Sequence, residues 1–444
     1  MLSRVYAALT LGSLIMLASG CRGGHSSAVV PHGVGLQAHR RAVTLPKYVI
    51  VMIQENRTVD NLFQTQPGVD TQNYGIDSHG NQVPLKKVNL GGRYSCSHSH
   101  TAFVKDTQGF DLGKCGKAPP DYAFSYVYPY EIKPYTALAT QYAIADEVLQ
   151  SNEGPSFPAH IYLIAATSGD PGSNWNISED DSQLNHIAAG CDAPPTQKAP
   201  QIDMTSAFPG VEGNPIFPCL TTPTIFDELD TAGISWKYYT PSTSFIWTVP
   251  YVIQSLYQND KANVIVPEKT ILSDIQNGNL AQVSYVIPAY KNSDHPGFGN
   301  NGGPAWVASV INALGTSSYW NQCAVIVVWD DWGGWYDHVA FRHPSSSPTD
   351  PYEYGFRVPL LAIGPFAKQG FVDHTQRDFA AVPHFIEDVY GLASLNQLDA
   401  QTDDLFSMFN FGAGPRSFKP IPTGNVTIKS LLEAPPDPRP IDEE

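Results

Sequence analysis

Two adjacent carboxylates stand at the end of an apolar stretch in the last third of the chain. Residues 325–329 read V-I-V-V-W, and Asp330 and Asp331 follow directly. Such a run predicts a strand buried on both faces of a parallel sheet, and ligands of open α/β sheets bind at the carboxyl ends of the strands. Because neighbouring carboxylates repel each other unless a cation or a shared proton compensates, a divalent metal ion is the simplest occupant. The alternative is a strand end that is merely solvated.

An acid and an amide follow the first apolar stretch, residues 47–53, in the same way. These residues are Glu55 and Asn56, and together with the paired aspartates they would supply hard oxygen ligands from two strands. Such a set suits Ca²⁺, Mg²⁺ or Mn²⁺ better than a soft metal such as Zn²⁺. A helix-capping turn is the alternative, since Asn56 and Thr58 are both good capping residues.

A serine follows a stop-and-start signal for a helix. Residues 151–160 read S-N-E-G-P-S-F-P-A-H, which predicts a turn and then a helix with Ser156 at or next to its N-cap. Backbone N–H groups and the helix dipole favour an anion there. A hydroxyl held beside a divalent cation is activated and can attack phosphorus, so Ser156 is a candidate nucleophile. An ordinary capping serine is the alternative.

Four histidines are candidates for acid–base chemistry. His295 lies in a Gly- and Asn-rich loop after the apolar residues 283–287, His338 lies near the paired aspartates, and His98 and His100 lie further upstream. A histidine titrates near neutrality and can protonate a leaving group. A structural or exposed position is the alternative for each of them.

Apolar stretches alternate along the chain with helical candidates, and these elements must position the residues above. The predicted strands are 47–53, 234–239, 283–287, 324–329 and 360–363, and the predicted helices are 135–147, 158–167, 224–232, 305–314 and 380–390. The alternation favours an α/β fold with a mostly parallel sheet flanked by helices. We expect a single domain over residues 46–444, with loop-rich insertions at about 64–130 and 170–222.

The chain of 444 residues has a formal net charge of −16, which disfavours nucleic acid and anionic membrane surfaces as partners. A charged start and an apolar run predict a signal peptide at residues 1–20. The small residues before Cys21 predict lipidation of that cysteine, with residues 21–45 as a tether. We therefore expect an exported protein, either a periplasmic or cell-surface lipoprotein or a secreted one, with membrane contact only through Cys21.

The cysteines fit an oxidising compartment. Cys96–Cys115 and Cys191–Cys219 are predicted local disulfides, and Cys323 is predicted to be a free thiol in the core. There is no C-x-x-C pair, so a thiolate zinc site is disfavoured.

Taken in order, these segments resemble the bacterial phosphoesterase family that contains the non-haemolytic-type phospholipases C and the metal-dependent acid phosphatases. The resemblance covers most of residues 46–392. Its motifs are Gln54-Glu55-Asn56-Arg57 with Asp60-Asn61-Leu62-Phe63, Gly154-Pro155-Ser156-x-Pro158-x-His160, Asp294-His295, Trp329-Asp330-Asp331-x-Gly333-Gly334-x-x-Asp337-His338-Val339 and Arg357-Val358-Pro359. The sequence departs from the family where Ala159 stands in place of the usual Asn, and where Ser97 stands in place of an acid.

The resemblance implies an alkaline-phosphatase-like fold and the hydrolysis of phosphate esters or phospholipids through a phosphoserine. The implied metal ligands are Glu55, Asn56, Asp330, Asp331 and the nucleophile Ser156. His295 is similar to the phosphate-binding or acid histidine of the family. His98 is similar to a further family histidine, a role for which His100 competes, and His338 is a second candidate for catalysis.

Two alternatives remain open. Among enzymes, phospholipase C and acid phosphatase share this chemistry and differ in substrate access. A group of aromatic residues would either line a choline or lipid headgroup pocket through cation–π contacts or serve packing, namely Tyr122, Phe124, Tyr126, Tyr128 and Tyr130. From a different class, the chain would be a non-catalytic, metal-stabilised surface lipoprotein or binding module.

Overall fold

The structure is a computed structural model that describes residues 44–180, 190–206, 208–297, 299–339 and 354–437. The predicted signal peptide, the predicted lipidation site at Cys21 and nearly all of the predicted tether lie outside the described residues. Within the described residues, no helix has the length and apolar character needed to cross a membrane.

Apolar, β-branched stretches form the central strands, because such side chains suit a sheet that is covered on both faces. The strands of the described residues are β1 (Tyr48–Gln54), β2 (Tyr74–Ile76), β3 (Gln82–Pro84), β4 (Lys86–Val88), β5 (Ser125–Val127), β6 (Ala143–Leu149), β7 (Trp175–Ile177), β8 (Gln201–Asp203), β9 (Trp236–Tyr239), β10 (Val264–Ile265), β11 (Val283–Val286), β12 (Cys323–Trp329), β13 (Arg357–Ile363) and β14 (Phe371–Asp373).

The central sheet has eight strands in the order β10-β9-β11-β1-β12-β13-β6-β14. Only β13 runs against its neighbours, since it pairs antiparallel with both β12 and β6. The remaining neighbours pair in parallel. The prediction of a mostly parallel sheet is therefore confirmed, and β1, β6, β11 and β12 all point their carboxyl ends toward the same edge.

Helices flank this sheet. In the described residues they are α1 (Val59–Phe63), α2 (His100–Asp106), α3 (Lys133–Gln141), α4 (Ser156–Ala165), α5 (Ile225–Ala232), α6 (Gln254–Asn259), α7 (Thr270–Asn277), α8 (Gly303–Gly315), α9 (Ala381–Tyr390), α10 (Gln397–Gln401) and α11 (Ile428–Glu433). Helix α8 contacts both α3 and α7, and α4, α5 and α9 contact one another in a second group. The core strand β12 is buried along its whole length between the layers.

The predicted helix at 135–147 is correct only in its first half. Helix α3 ends at Gln141, and residues 143–149 form the strand β6 instead. Ala, Glu and Leu in this segment favour a helix when considered alone. Pairing with β13 on one side and β14 on the other buries the segment in the sheet, and this tertiary context overrides the local preference.

In the described residues, the first predicted insertion contains two short two-stranded ladders, β2-β3 and β4-β5, and the second contains one, β7-β8. Both predicted disulfides are present, Cys96–Cys115 in the first insertion and Cys191–Cys219 in the second. The predicted free thiol is also confirmed, because Cys323 is unpaired and buried at the start of β12.

Candidate active site

The carboxyl ends of β1 and β12 lie side by side because the two strands pair in parallel. Gln54 is opposite Trp329, so Glu55 and Asp330 leave the sheet next to each other. Two hydrogen bonds fix this junction. The N–H of Asp330 donates to the carbonyl of Gln54 at 2.9 Å, and the N–H of Asn56 donates to Oδ1 of Asp330 at 2.9 Å.

Ser156 lies between carboxylates that come from both strand ends. Its Oγ is 3.2 Å from Oε2 of Glu55 and 3.0 Å from Oδ2 of Asp331. The side chains of Ser156, Glu55, Asp330 and Asp331 are all completely buried. The structure thus brings together three chain segments that are more than a hundred residues apart in sequence.

The hydroxyl of Ser156 does not cap the helix. Helix α4 begins at Ser156 with Pro155 as its N-cap, and no side chain makes the capping hydrogen bond. The backbone N–H of Phe157 donates instead to Oδ1 of Asp180 at 3.0 Å. An ordinary capping serine is therefore excluded at this position, and the hydroxyl is directed to the carboxylates.

Asn56 has a left-handed backbone with φ of 61°, a conformation that Asn tolerates better than most residues. Thr58 caps helix α1, so the side chain of Asn56 is not used for capping. Its Nδ2 lies 2.9 Å from Nε2 of His98, whose Nδ1 lies 3.0 Å from the carbonyl of Cys96. Since a carbonyl only accepts, Nδ1 carries the proton and Nε2 accepts from Asn56. The amide oxygen of Asn56 is buried, and no described residue makes a hydrogen bond to it.

His160 joins the cluster one helical turn after Ser156. Its Nε2 lies 3.1 Å from Oε1 of Glu55 and 3.5 Å from Oδ2 of Asp330. Its ring is parallel to that of Trp247, with centroids 6.0 Å apart. In the sequence, His160 is part of a motif but was not predicted as a site residue. The signal that would have found it is the i, i+4 spacing from Ser156, which places both side chains on one helix face.

The cluster fits a divalent cation. Glu55, His160 and Asp330 each offer one ligand atom, and these atoms lie within 4.8 Å of one another. Among the described residues, Oδ2 of Asp330 and Oδ1 of Asn56 have no hydrogen-bond partner, and both are buried. Asp331 adds a third buried carboxylate to those of Glu55 and Asp330. Such atoms are costly to bury unless a cation compensates. Because an imidazole also suits transition-metal ions, the preference for Ca²⁺, Mg²⁺ or Mn²⁺ over Zn²⁺ stays a prediction.

Backbone donors hold the two aspartates in place. The N–H of Asp331 donates to Oδ1 of Asp330 at 2.8 Å, and the N–H of Gly333 donates to Oδ1 of Asp331 at 2.6 Å. Gly333 has φ of 61°, and a side chain there would approach the carbonyl of Asn56 to 2.6 Å. Burial opposes the ionisation of Asp330, but the adjacent imidazole of His160 outweighs it and lowers the pKa of Asp330 to about 2.

His295 lies next to His98, on the loop that follows β11. Its side chain is almost completely buried, and its ring centroid is 5.8 Å from that of His98. Nδ1 of His295 lies 2.9 Å from the carbonyl of Pro296. This nitrogen therefore carries the proton, since a carbonyl only accepts. His98 thus contacts both Asn56 and the ring of His295.

His100 lies in a different place from His98. One ring nitrogen is 2.8 Å from the carbonyl of Glu153, and the other is 2.9 Å from the carbonyl of Pro209. Of the two competing histidines, His98 is the one beside Asn56. His100 supports the loop that precedes Ser156.

His338 belongs to a second group of ionisable residues. Its Nδ1 lies 2.6 Å from Oδ2 of Asp60, and together with Asp337 the group has distances short enough for a metal ion. A guanidinium already fills this space, because Nε of Arg357 is 2.8 Å from Oδ1 of Asp337 and Nη2 is 3.3 Å from Nδ1 of His338. Within the described residues, His338 contacts Asp60, Asp70 and Arg357, and not the cluster around Ser156.

The aromatic residues of the first insertion occupy several different environments. Phe124 is buried and packs on Tyr336 at 5.1 Å, while Tyr122 packs on Trp335 at 5.4 Å. Tyr130 is 59% exposed. These positions favour packing over a single headgroup pocket for this set.

The fold and the cluster at the strand ends define an α/β protein with a candidate metal centre and a buried serine. The chain belongs to the Phosphoesterase family, whose model matches residues 47–393.

Among the relatives, the non-hemolytic phospholipase C of Pseudomonas aeruginosa is 24% identical, and the match covers 92% of this chain and 64% of that protein. Phospholipase C B of Mycobacterium tuberculosis is 27% identical over 44% of each chain. The matches thus span less than two thirds of the length of these relatives. A solved structure from Vibrio parahaemolyticus, described as a protein in the alkaline phosphatase superfamily, matches with a TM-score of 0.36 and 13% identity, covering 81% of this chain and 70% of that one.

Proposed function

We propose that this chain is a metal-dependent phosphoesterase that hydrolyses phosphate esters, of phospholipase C or acid phosphatase type, through a phosphoserine intermediate. The observation that carries the proposal is the position of the Ser156 hydroxyl, 3.2 Å and 3.0 Å from the carboxylates of Glu55 and Asp331. Family membership and the names of the relatives support phosphoester hydrolysis.

The residues that would hold the metal are the predicted ligands and one addition, namely Glu55, Asn56, Ser156, His160, Asp330 and Asp331. When bound, a divalent cation supplies positive charge that activates the serine hydroxyl and offsets charge on the phosphoryl oxygens. His98 orients the amide of Asn56 through the hydrogen bond to Nδ2 and thereby keeps its oxygen for the ligand set.

The side chains of the site then carry out a two-step transfer. Ser156 Oγ passes its proton to a neighbouring carboxylate and attacks phosphorus, so that a bond from Oγ to phosphorus forms as the ester bond to the leaving oxygen breaks. His295, protonated on both ring nitrogens, gives the proton of Nε2 to the leaving oxygen. In the second step neutral His295 takes a proton from water, and the water oxygen attacks phosphorus. The bond from phosphorus to Oγ breaks, the carboxylate returns its proton to Oγ, and phosphate or, from a diester, a phosphomonoester leaves.

We also propose that this protein acts outside the cytoplasm. The two disulfides fit an oxidising compartment, which supports the predicted export. Fractionation of cells that express the full chain tests this point, and recovery in the cytoplasmic fraction alone would contradict it.

Ser156→Ala tests the nucleophile. We expect it to lower kcat by about three orders of magnitude or more, because a lost nucleophile disables the rest of the catalytic group. Rates are measured with p-nitrophenyl phosphate, with its phosphorylcholine ester and with phosphatidylcholine vesicles, each with and without EDTA. The substrate that wild type prefers separates the phosphatase from the phospholipase.

Ser309→Ala is the matched control, since Ser309 is equally buried and donates to a carbonyl within helix α8. It should keep wild-type rates. If Ser156→Ala retains activity on every substrate, or if EDTA leaves the wild-type rates unchanged, the proposed mechanism is wrong. If wild type hydrolyses none of the substrates while it binds metal, the non-catalytic alternative gains support.

A further inference from the structure

Asp294 precedes the candidate acid His295 and lies at a junction of the site. It follows β11, is completely buried and has a left-handed backbone with φ of 73°. A non-glycine residue in this conformation persists only where its surroundings hold it. The side chain and the backbone of Asp294 are each held by hydrogen bonds.

The carboxylate of Asp294 is held by two neutral donors. Its Oδ2 accepts from the hydroxyl of Tyr135 at 2.6 Å and from Nε1 of Trp329 at 3.2 Å. Tyr135 belongs to helix α3, and Trp329 is the residue immediately before the paired aspartates. One side chain therefore connects the His295 loop to the strand end that supplies Asp330 and Asp331.

The backbone of Asp294 is held by a buried cation. Its carbonyl accepts from Nε of Arg57 at 3.0 Å and from Nη2 at 2.6 Å. Arg57 also donates to Asn61 and to the carbonyl of Leu90. Burial lowers the pKa of Arg57 to about 10, so the guanidinium stays charged near neutral pH, and the nearby carboxylate of Asp294 favours that charge. Because Arg57 directly follows Glu55 and Asn56, this contact links the loop to the other strand end.

We propose that Asp294, held by Tyr135 and Arg57, is the positioning residue that fixes His295 relative to the metal cluster and Ser156. This inference rests on the proposed function, and it assigns a role to three residues that do not touch the reacting atoms. Asp294 makes hydrogen bonds to Trp329 at the end of β12 and to Arg57 just after the end of β1, and it directly precedes His295. A change in its position would therefore move His295 relative to Ser156 while the ligands remain in place.

If Asp294 positions His295, loss of that position should affect esters with poor leaving groups most. An alkoxide leaves poorly unless it is protonated, whereas p-nitrophenolate is a stable anion that leaves without an acid. A misplaced His295 should therefore slow alkyl esters much more than p-nitrophenyl esters. A general loosening of the fold would slow both classes equally.

Tyr135→Phe tests the inference, because it removes the hydroxyl bonded to Asp294 and keeps the ring. Rates are compared within two pairs of substrates, each an alkyl ester and its aryl counterpart. The first pair is glycerol 3-phosphate and p-nitrophenyl phosphate, and the second is phosphatidylcholine and p-nitrophenyl phosphorylcholine. We expect kcat for the alkyl ester to fall about 10-fold, a part of the 10²–10⁴-fold that a general acid supplies. The aryl ester should change less than about 3-fold, and KM should not change.

Tyr239→Phe is the matched control, since the hydroxyl of this buried tyrosine also donates to a carboxylate, Asp274, at 2.8 Å. It should reduce the melting temperature as Tyr135→Phe does, without a leaving-group effect. Asp294→Asn is a second variant in case Tyr135→Phe does not fold. It keeps the size of the side chain but removes the negative charge beside Arg57, so it should show the same selective loss on alkyl esters.

The outcomes are distinguishable. Equal losses on alkyl and aryl esters, or no loss on either, would overturn the positioning role while the nucleophile assignment stands. If wild-type turnover survives Ser156→Ala, the proposed function itself is wrong and the inference fails with it. A crystal structure of Tyr135→Phe gives a readout independent of activity, in which we expect a displaced His295 ring and unmoved Asp330 and Asp331.

Discussion

A single helical turn separates the candidate nucleophile from a candidate ligand. Ser156 and His160 stand at positions i and i+4 of helix α4, and both side chains contact Glu55. A helix is a rigid carrier, so this spacing fixes the hydroxyl relative to the imidazole. Glu55 thereby connects the nucleophile helix to the end of β1.

His160→Ala is expected to weaken metal binding by at least about 10–100-fold, the range found when a metal site loses a supporting contact. The measurement is calorimetric titration of Mn²⁺ and Zn²⁺ into protein freed of metal with EDTA. His374→Ala is the control, because this mostly exposed histidine pairs with Asp146 away from the cluster. Equal affinities in wild type and His160→Ala would remove His160 from the ligand set.

Candidate oxygen ligands are easier to predict from sequence than functional histidines. Asp330 and Glu55 each follow an apolar strand directly, and strand ends in a parallel sheet meet at one edge. A histidine carries no comparable positional signal. His98 and His338 were both candidates, yet only the contacts across more than 40 residues of sequence place His98 beside Asn56 and His338 beside Asp60.

Among the elements, the continuously buried strands β1 and β12 were predictable from sequence, whereas β6, which mixes apolar and acidic residues, was not. β1 and β12 read as uninterrupted apolar runs, and the structure confirms both. β6 contains Asp146 and Glu147, which a central strand would normally exclude. Asp146 is accommodated because it pairs with His374 and accepts from the N–H of Asp70, partners that local sequence does not reveal.

The loop after the paired aspartates is anchored by the group around Arg357. Asp337 pairs with Arg357 at the start of β13, and His338 pairs with Asp60 in helix α1. Burial alone would lower the pKa of Arg357, but the carboxylate of Asp337 outweighs it and raises that pKa. The anchor connects the loop after the paired aspartates to β13 and to helix α1, so its strength should depend on the charge of His338.

His338 makes stability pH-dependent in a defined direction. Burial would lower its pKa, but the hydrogen bond with Asp60 outweighs it and raises the pKa above the ordinary 6.5. A pKa raised by folding gives stability that is complete below about pH 6.5 and is lost as pH rises through the raised value. We therefore expect the melting temperature of wild type to fall by a few degrees more than that of His338→Gln between about pH 6 and pH 9.

His374→Gln is the control for this pH series, and it should follow wild type because His374 is mostly exposed. The difference between wild type and His338→Gln isolates this one histidine from other groups that titrate in the same range, such as Glu153, whose pKa burial raises to about 8. Superimposable pH profiles of wild type and His338→Gln would show that the pair with Asp60 does not stabilise the fold.

At the scale of the whole molecule, charge links the site to stability. The chain carries a formal net charge of −16, and three of its carboxylates are buried together at the strand ends, Glu55, Asp330 and Asp331. A ligand that binds only the folded chain stabilises it by RT ln(1 + [L]/Kd), about 2.7 kcal/mol at 100 times Kd. A divalent cation at this cluster should therefore raise the melting temperature of the protein.

We expect metal added after EDTA treatment to raise the melting temperature of wild type by several degrees in a calorimetric scan. Asp330→Asn should lose most of this increment, because it removes one of the buried charges that the cation offsets. Asp274→Asn should keep the increment, since Asp274 pairs with Lys237 outside the cluster. An equal rise in melting temperature in wild type and Asp330→Asn would mean that the stabilising ion binds elsewhere. The three carboxylates at the strand ends would then lie together without a cation.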